Sequence, residues 1–137
     1  MRLWHKNIIT SLPREQLVAQ WREISAICGA ILKNGTSNHI LVNYVLDYDY
    51  DHLISYAHYV RKETARRDYK TMDKVWNKIV SLKPDFNLLL LEEIFPQMHN
   101  LEYLRICYYN LYEKYLRGVI KEEDWKNIEK LKKSIDF

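Results

Sequence analysis

Helix-breaking residues are scarce in this chain, and their scarcity limits its fold more than any other feature. Only three glycines and three prolines interrupt 137 residues, while apolar residues recur at intervals of three and four positions, the period of an α-helix. The clearest case covers residues 13–33, where one face carries Leu17, Trp21, Ile24, Cys28 and Ile31. Pro13 suits the first turn of a helix, and Asn34-Gly35 is a typical stop signal.

The same spacing predicts four more helices. They are expected from Asp49 or Asp51 to about residue 69, from Thr71 to residue 80, from Asn100 to Gly118, and over residues 121–135. Residues 39–46 fit a helix or a strand equally well, and the apolar run 88–91, in a hinge-like region, is expected to form a buried helical turn. No repeat or linker divides the sequence. We therefore predict a single compact all-α domain of about five helices over residues 1–137.

Composition argues against the membrane and disordered classes of protein. Hydrophobic residues make up 47% and charged residues 28% of the chain, which is typical of globular proteins. No apolar run approaches the roughly 18 residues that cross a bilayer, and no charged-then-apolar leader opens the sequence. We therefore expect a cytoplasmic protein without membrane contact. Cys28 and Cys107 fall at apolar helix positions, which favours buried thiols over a disulfide or a metal pair.

Positive charge is concentrated in two stretches, although the formal net charge is only +3. Residues 1–33 and residues 61–70 each carry five basic and two acidic side chains, whereas residues 34–60 carry three acids and no Lys or Arg. In the second stretch, Lys62, Arg66 and Lys70 follow His58 at intervals of four. Like charges so placed repel one another on a helix. The stripe therefore indicates an external anion such as a DNA backbone, or else a solvated face.

The face of the first helix opposite its apolar stripe combines small side chains with a charged pair. Ala19, Ala26 and Ala30 lie there beside Arg22 and Glu23. Such a row lets another molecule approach the backbone closely. Alanine is also the best helix former and needs no function on a solvated face, so the spacing alone leaves both interpretations open.

The sequence of this helix resembles that of the pyrimidine-dimer DNA glycosylases. The similarity covers residues 12–23, LPREQLVAQWRE, and continues at Gly29-Ala30 and Lys33. The opening MRLWH, the tripeptide NYV at 43–45 and the segment FPQMH at 95–99 also resemble small bacterial members of the family. The resemblance implies an all-helical repair enzyme that excises UV-damaged pyrimidines from duplex DNA and cleaves the abasic site as an AP lyase, with no cofactor or metal.

In this family the nucleophile is an N-terminal amine, for which there is a physical reason. Attack on the sugar carbon C1′ and formation of an imine require a neutral amine. An α-amine with a pKa of about 7.8 is about 14% neutral at pH 7, whereas a lysine with a pKa of about 10.4 is about 0.04% neutral. A chain terminus therefore starts roughly 400-fold ahead of a lysine.

The resemblance implies a role for each matching residue. Met1 supplies the amine, because a side chain as large as that of Arg2 blocks removal of the initiator methionine; an alignment without a one-residue slip places Arg2 there instead. Glu23 is the catalytic carboxylate, which stabilises positive charge on the sugar and imine and assists proton transfer. Arg22 binds a phosphate beside the lesion. Further DNA contacts are expected from Arg2, His5, Lys33, Lys62, Arg66 and Lys70.

The expected partner is damaged double-stranded DNA, bound by a monomer. The alternative is a helical module without catalytic activity that binds nucleic acid or a protein through the same basic surface. The triplet Asp47, Asp49 and Asp51 is typical of the start of a calcium loop, but His52 and His58 stand where that loop requires glycine and glutamate. We therefore predict no metal site.

Overall fold

A computed structural model describes residues 2–36 and 43–137 of the protein. Within these ranges lie five α-helices, labelled α1 (Arg14–Asn34), α2 (Tyr50–Arg66), α3 (Asp73–Val80), α4 (Leu101–Leu116) and α5 (Glu122–Ile135). The same ranges contain short 3-10 helices at Lys6–Ser11, Tyr44–Asp47 and Leu91–Glu93, and no β-strand. The prediction of an all-α fold is confirmed.

The predicted signals at the helix ends are largely confirmed. The side chain of Asp49 accepts a hydrogen bond from the backbone N–H of Asp51 at 2.9 Å, and that of Asn100 accepts from the N–H of Tyr103 at 2.8 Å. Both bonds satisfy N–H groups that have no partner inside the helix. Gly35 and Gly118 adopt φ angles of 72° and 77°, a left-handed conformation that ends α1 and α4 at low steric cost.

Two predicted boundaries are wrong. Helix α2 ends at Arg66, because Asp68 adopts a φ of 61° that no helix can continue through. Helix α3 begins at Asp73 with Met72 at the capping position and no side-chain cap. The hydroxyl of Thr71, the predicted cap, instead accepts a hydrogen bond from Nε of Arg61 at 3.1 Å.

The apolar run 88–91 does not form the buried helical turn that its composition predicts. Leu88 is 53% exposed and Leu90 is 59% exposed. The reason is that α2 side chains take both backbone hydrogen bonds of Leu89: its N–H donates to Oγ of Ser55 at 2.9 Å, and its carbonyl accepts from the hydroxyl of Tyr59 at 2.8 Å. Of the ambiguous segment 39–46, residues 39–42 lie outside the described residues, and Tyr44–Asp47 is a 3-10 helix.

The core forms where the apolar stripe of α1 packs against α2 and α3. All five stripe residues predicted for α1 are buried, Cys28 among them. Cys107 is also buried, and both cysteines are free thiols. Helix α5 packs on α4 and on the 3-10 helix Lys6–Ser11. The segment before that 3-10 helix has no regular secondary structure, and its Leu3 and Trp4 lie in the core. Residues 3 and 4 are therefore part of the interior.

A buried carboxylate joins the end of α2 to the residues just before α1. Glu63 is 3% exposed and accepts hydrogen bonds from Arg66 and from Arg67. Arg67 also donates to the carbonyl oxygen of Leu12 at 2.7 Å, so the two basic stretches of the sequence meet here. Burial acts to raise the pKa of Glu63, but the hydrogen bonds and charges of the two arginines outweigh it and lower the pKa below its ordinary value.

We predict that Glu63→Gln lowers the free energy of unfolding at pH 7 by about 2 kcal/mol, because hydrogen bonds to a charged group are lost. A carboxylate with a lowered pKa stabilises the fold above its unfolded-state pKa, near 4.5, and this contribution is lost as the pH falls further. The difference between wild type and variant in urea denaturation should therefore shrink between about pH 5 and pH 3.

The matched control for this prediction is Glu113→Gln. Glu113 forms an ion pair with Arg117 at the same helical spacing as Glu63 with Arg67, but both side chains are more than half exposed. Exposed pairs contribute little, so no change in stability is expected. An equal loss of unfolding free energy in both variants would contradict the importance of burial at Glu63.

Candidate active site

Side chains from two helices and one loop bind the backbone of residues 3–6. The carbonyl oxygen of Leu3 accepts a hydrogen bond from the hydroxyl of Tyr103 on α4 at 2.7 Å. The hydroxyl of Tyr56 on α2 lies 2.6 Å from the carbonyl oxygen of Trp4. The N–H of Lys6 donates to Nδ1 of His99, in the loop before α4, at 3.0 Å. These bonds fix the path of the N-terminal segment through the core.

Helix α1 reaches the same segment through Gln20, whose amide is fully buried. Its Oε1 accepts a hydrogen bond from the N–H of Trp4 at 2.7 Å. Its Nε2 donates to the carbonyl oxygen of Arg2 at 2.9 Å and to Oε2 of Glu23 at 3.1 Å. Since they share one donor, the Arg2 carbonyl oxygen and the Glu23 carboxylate lie no more than 6.0 Å apart.

Glu23 and Arg22 occupy adjacent positions on the solvent side of α1. Glu23 is half-buried, and Arg22 is exposed and lines a groove of about 460 Å³ between the start of α1 and residues 119–124. Ala26, one turn further, is exposed, while Ala19 and Ala30 are half-buried. The face singled out in the sequence is therefore accessible to another molecule along much of its length.

A larger groove opens beside the first described residues. It has a volume of about 620 Å³, and Arg2 and Leu3 form part of its wall. The aromatic lining consists of Tyr44, Tyr48 and Tyr103. Its charged lining combines one guanidinium, that of Arg2, with the carboxylates of Asp47 and Glu102. The groove is thus rich in aromatic rings and not dominated by positive charge.

The side chain of Arg2 turns back over the N-terminal segment. Its guanidinium lies 5.6 Å from the centre of the Trp4 ring, within the range of a cation–π contact. It also lies beside the hydroxyl of Tyr103: burial raises the pKa of that hydroxyl above its ordinary value, and the charge of Arg2 acts in the opposite direction. Arg2 is therefore positioned by aromatic neighbours at the rim of the larger groove.

His5 is a buried packing residue, and its contact with DNA stays a prediction. It is 2% exposed, and both ring nitrogens are bonded within the chain: Nδ1 accepts from the N–H of Asn7 at 3.1 Å, and Nε2 lies 2.9 Å from the carbonyl oxygen of His99. Because Nδ1 is an acceptor, Nε2 carries the proton. Burial lowers the pKa of His5 to about 4, so the ring is neutral at pH 7.

Lys6 is a buried lysine that the sequence did not single out. Its Nζ donates to the carbonyl oxygens of Glu92 at 3.0 Å and Ile94. Burial lowers its pKa, and the charge of Glu92 acts in the opposite direction. Both carbonyls orient the ammonium towards the 3-10 helix Leu91–Glu93, so Lys6 serves to join that helix to the N-terminal segment.

The basic stripe of the sequence is only partly reproduced. Lys62 is exposed on α2, and Lys70 is exposed beyond its end, so the two do not share one helix. Arg66 retains 64% side-chain exposure but is paired with Glu63. Lys33, in the last turn of α1, is exposed. The stripe is therefore not free of opposing charge, because Glu63 neutralises its middle member.

Met1, the predicted nucleophile, lies outside the described residues. Among residues 2–36 and 43–137, no three His, Cys, Asp or Glu side chains are grouped as metal ligands. Asp49 and Asp51, which the calcium-loop pattern involves, both pair with Lys83. Within those same ranges no helix is both long and apolar enough to span a membrane.

A family model described as pyrimidine dimer DNA glycosylase matches residues 1–77, more than half of the chain. The chain belongs to the pyrimidine dimer DNA glycosylase family. The match covers the N-terminal segment, α1, α2 and the first half of α3, and so contains every residue that the sequence predicted for the site. Comparison with curated proteins and with solved structures gave no match.

Membership of a DNA glycosylase family makes damaged DNA the substrate class. The site residues that sequence reasoning missed are Gln20, Tyr56 and Tyr103, which contact the backbone of residues 2–4. Their positions on helical faces predict only that they point inward. No local pattern could indicate that their polar ends meet at the start of the chain.

We predict that His5 keeps its neutral form, with the proton on Nε2, from pH 8 down to about pH 5. A pKa of about 4 leaves less than about a tenth of the ring protonated at pH 5. Long-range ¹H–¹⁵N NMR spectra across this range test the tautomer directly. Titration of His5 near pH 6.5 would contradict its burial and support its contact with DNA.

Proposed function

We propose that this protein is a glycosylase with associated AP-lyase activity that acts on pyrimidine dimers in duplex DNA. One observation carries the proposal: the carbonyl oxygen of Arg2 and the carboxylate of Glu23 lie no more than 6.0 Å apart. The α-amine of Met1 is two residues of backbone from that carbonyl oxygen, about 7 Å at full extension, a separation that allows the amine to approach this carboxylate. The imine chemistry requires an amine and a carboxylate together.

The proposed nucleophile is the neutral α-amine of Met1. Its lone pair forms a bond to C1′ of the damaged nucleotide while the glycosidic C1′–N bond breaks, and the base leaves with that electron pair and takes up a proton. The attached nitrogen then loses a proton, and the sugar ring opens to an iminium at C1′ as O4′ is protonated. Glu23 is suited to accept and return these protons and to stabilise the cationic sugar.

Strand cleavage follows from the same intermediate. The iminium accepts the electrons of the C2′–H bond as that proton is lost, which gives an enamine. The enamine then returns an electron pair to form the C2′=C3′ double bond, and the 3′ phosphate leaves with the electrons of the C3′–O bond. Water then hydrolyses the imine and frees the amine. One covalent nucleophile thus serves both reactions, with Glu23 as the proposed acceptor for the C2′ proton.

The larger groove is proposed to receive an extruded nucleotide. A base removed from the duplex gains stacking on aromatic rings, and Tyr44, Tyr48 and Tyr103 line this groove. Asp47 and Glu102 repel a phosphate but can accept hydrogen bonds from the amino groups of a base. The chemistry of the lining therefore favours a base over the phosphate backbone.

The exposed cations are proposed to bind the DNA backbone. Arg22 and Lys33 lie on the accessible face of α1, and Lys62 lies on α2. Together with Arg2, Arg66 and Lys70 they would release counterions from DNA on binding. We further propose that residues 1–137 act as one domain and that the protein is a cytoplasmic monomer.

We predict that Glu23→Gln lowers the single-turnover rate of strand cleavage at a pyrimidine dimer by at least about 100-fold, a typical loss for a general acid–base group. The amide oxygen of the new side chain can still accept the bond from Gln20, so the Kd for the damaged duplex should change by less than about threefold. A UV-irradiated oligonucleotide, an abasic one and an undamaged one are compared by gel assay.

The control is Glu123→Gln, which removes the same charge from an exposed position on α5 and should keep the wild-type rate. Equal loss of binding and cleavage in Glu23→Gln would assign Glu23 a structural role. Binding of wild type to all three duplexes, with steep salt dependence and no scission, would instead support a non-catalytic DNA-binding module.

We predict that borohydride added during turnover reduces the imine and attaches DNA covalently to the α-amine of Met1. Peptide mass spectrometry locates the site of attachment. Two residues added before Met1 displace the amine and should abolish trapping, whereas two residues added after Phe137 should not. Attachment of DNA to a lysine side chain would overturn the assignment of the nucleophile.

A further inference from the structure

The amide of Gln20 binds the candidate active site through both its oxygen and its nitrogen. Oε1 accepts from the N–H of Trp4 at 2.7 Å and lies 2.9 Å from the hydroxyl of Tyr56. Nε2 donates to the carbonyl oxygen of Arg2 and to Oε2 of Glu23. An amide has two donor hydrogens and two acceptor lone pairs. Both donors and one lone pair of Gln20 are used, and the second lone pair faces the hydroxyl of Tyr56, whose single hydrogen is shared with the carbonyl oxygen of Trp4.

The partners of Gln20 determine which way the amide points. The N–H of Trp4 can only donate, and the carbonyl of Arg2 can only accept, as can an ionised Glu23. A flipped amide would place its NH₂ group against the N–H of Trp4 and its oxygen against the oxygens of Arg2 and Glu23. The orientation in which Nε2 faces Glu23 is therefore fixed by unambiguous neighbours.

The bonds to Arg2 and Trp4 are those that a neighbouring strand would form. In a parallel sheet, one residue accepts from and donates to two residues that flank its partner. Gln20 supplies both bonds from a side chain, because no strand lies beside this segment in the described part of the chain. The segment is thereby set in register with α1 at the turn that carries Glu23.

We propose that Gln20 is a positioning residue that fixes the distance between the start of the chain and the carboxylate of Glu23. This inference rests on the proposed function. Glu23 is half-buried and has three rotatable side-chain bonds, and the bond from Nε2 selects one arrangement of its carboxylate. The same nitrogen binds the residue that follows the nucleophile. A displacement of about 1 Å between reacting groups costs on the order of 100-fold in rate.

The decisive variant is Gln20→Glu, which keeps the shape and the acceptor oxygen for Trp4 and Tyr56 but removes both donors. We expect its single-turnover cleavage rate at pH 8 to fall about 10- to 100-fold, with a Kd for the damaged duplex within about threefold of wild type. Two adjacent carboxylates do not ionise together at low cost. Protonation of the variant's pair restores one donor and the single negative charge, so we expect the ratio of wild-type to variant rates to be smaller at pH 5.5 than at pH 8.

Three further variants separate positioning from charge and from stability. Asn127→Asp adds the same negative charge at an exposed position on α5 and should keep the wild-type rate. Tyr108→Phe removes a partly buried hydrogen bond to Glu129, between α4 and α5; it should lower the Tm but reduce the rate less than about threefold. Gln20→Met has no donor at any pH, so its rate loss should be the same at pH 8 and pH 5.5. If the second buried carboxylate prevents Gln20→Glu from folding, Gln20→Met replaces it as the test of positioning.

The outcomes distinguish the two proposals. If wild type cleaves the damaged duplex and Gln20→Glu and Gln20→Met do so at the wild-type rate at both pH values, the inference fails and the proposed function stands. Rate losses that are independent of pH in every variant and parallel the loss in Tm would assign Gln20 a role in stability only. If wild type itself does not cleave, the proposed function fails and the inference fails with it.

Discussion

The arrangement of the whole site depends on one interaction, the insertion of an N-terminal segment without regular secondary structure into a helical core. A non-helical backbone inside a protein carries N–H and C=O groups that need partners, and among the described residues no strand supplies them. Side chains do so instead: Gln20 from α1, Tyr56 from α2 and Tyr103 from α4. Each of these helices therefore has a polar group at the point where its apolar face meets the start of the chain.

This arrangement explains why structural and functional roles separate as they do along residues 2–6. Leu3, Trp4 and His5 are buried, which anchors the segment, whereas Arg2 reaches the rim of the larger groove. The anchoring holds the backbone of Arg2 beside Glu23. For the proposed reaction between an amine and a sugar carbon, this anchoring would supply preorganisation.

Much of the fold could be predicted from local signals, and the failures have identifiable causes. The caps at Asp49 and Asn100 and the left-handed glycines at 35 and 118 depend on a few neighbouring residues, so the sequence reveals them. Residues 88–91 are apolar yet irregular because Ser55 and Tyr59, 34 and 30 positions away, take the hydrogen bonds of Leu89. Phe95 adopts a φ of 46° in the core, which no local preference would indicate.

The sequence by itself determined the all-α class, the faces of the helices, the family and the identity of Glu23 as the candidate carboxylate. All of these follow from the spacing or identity of residues near one another in the chain. Only the tertiary structure decided that His5 is buried and neutral, that Arg66 is paired with Glu63, and that the backbone of Arg2 lies beside Glu23. Burial and ion pairing depend on which distant surfaces meet, and a linear pattern of charges or rings does not contain that information.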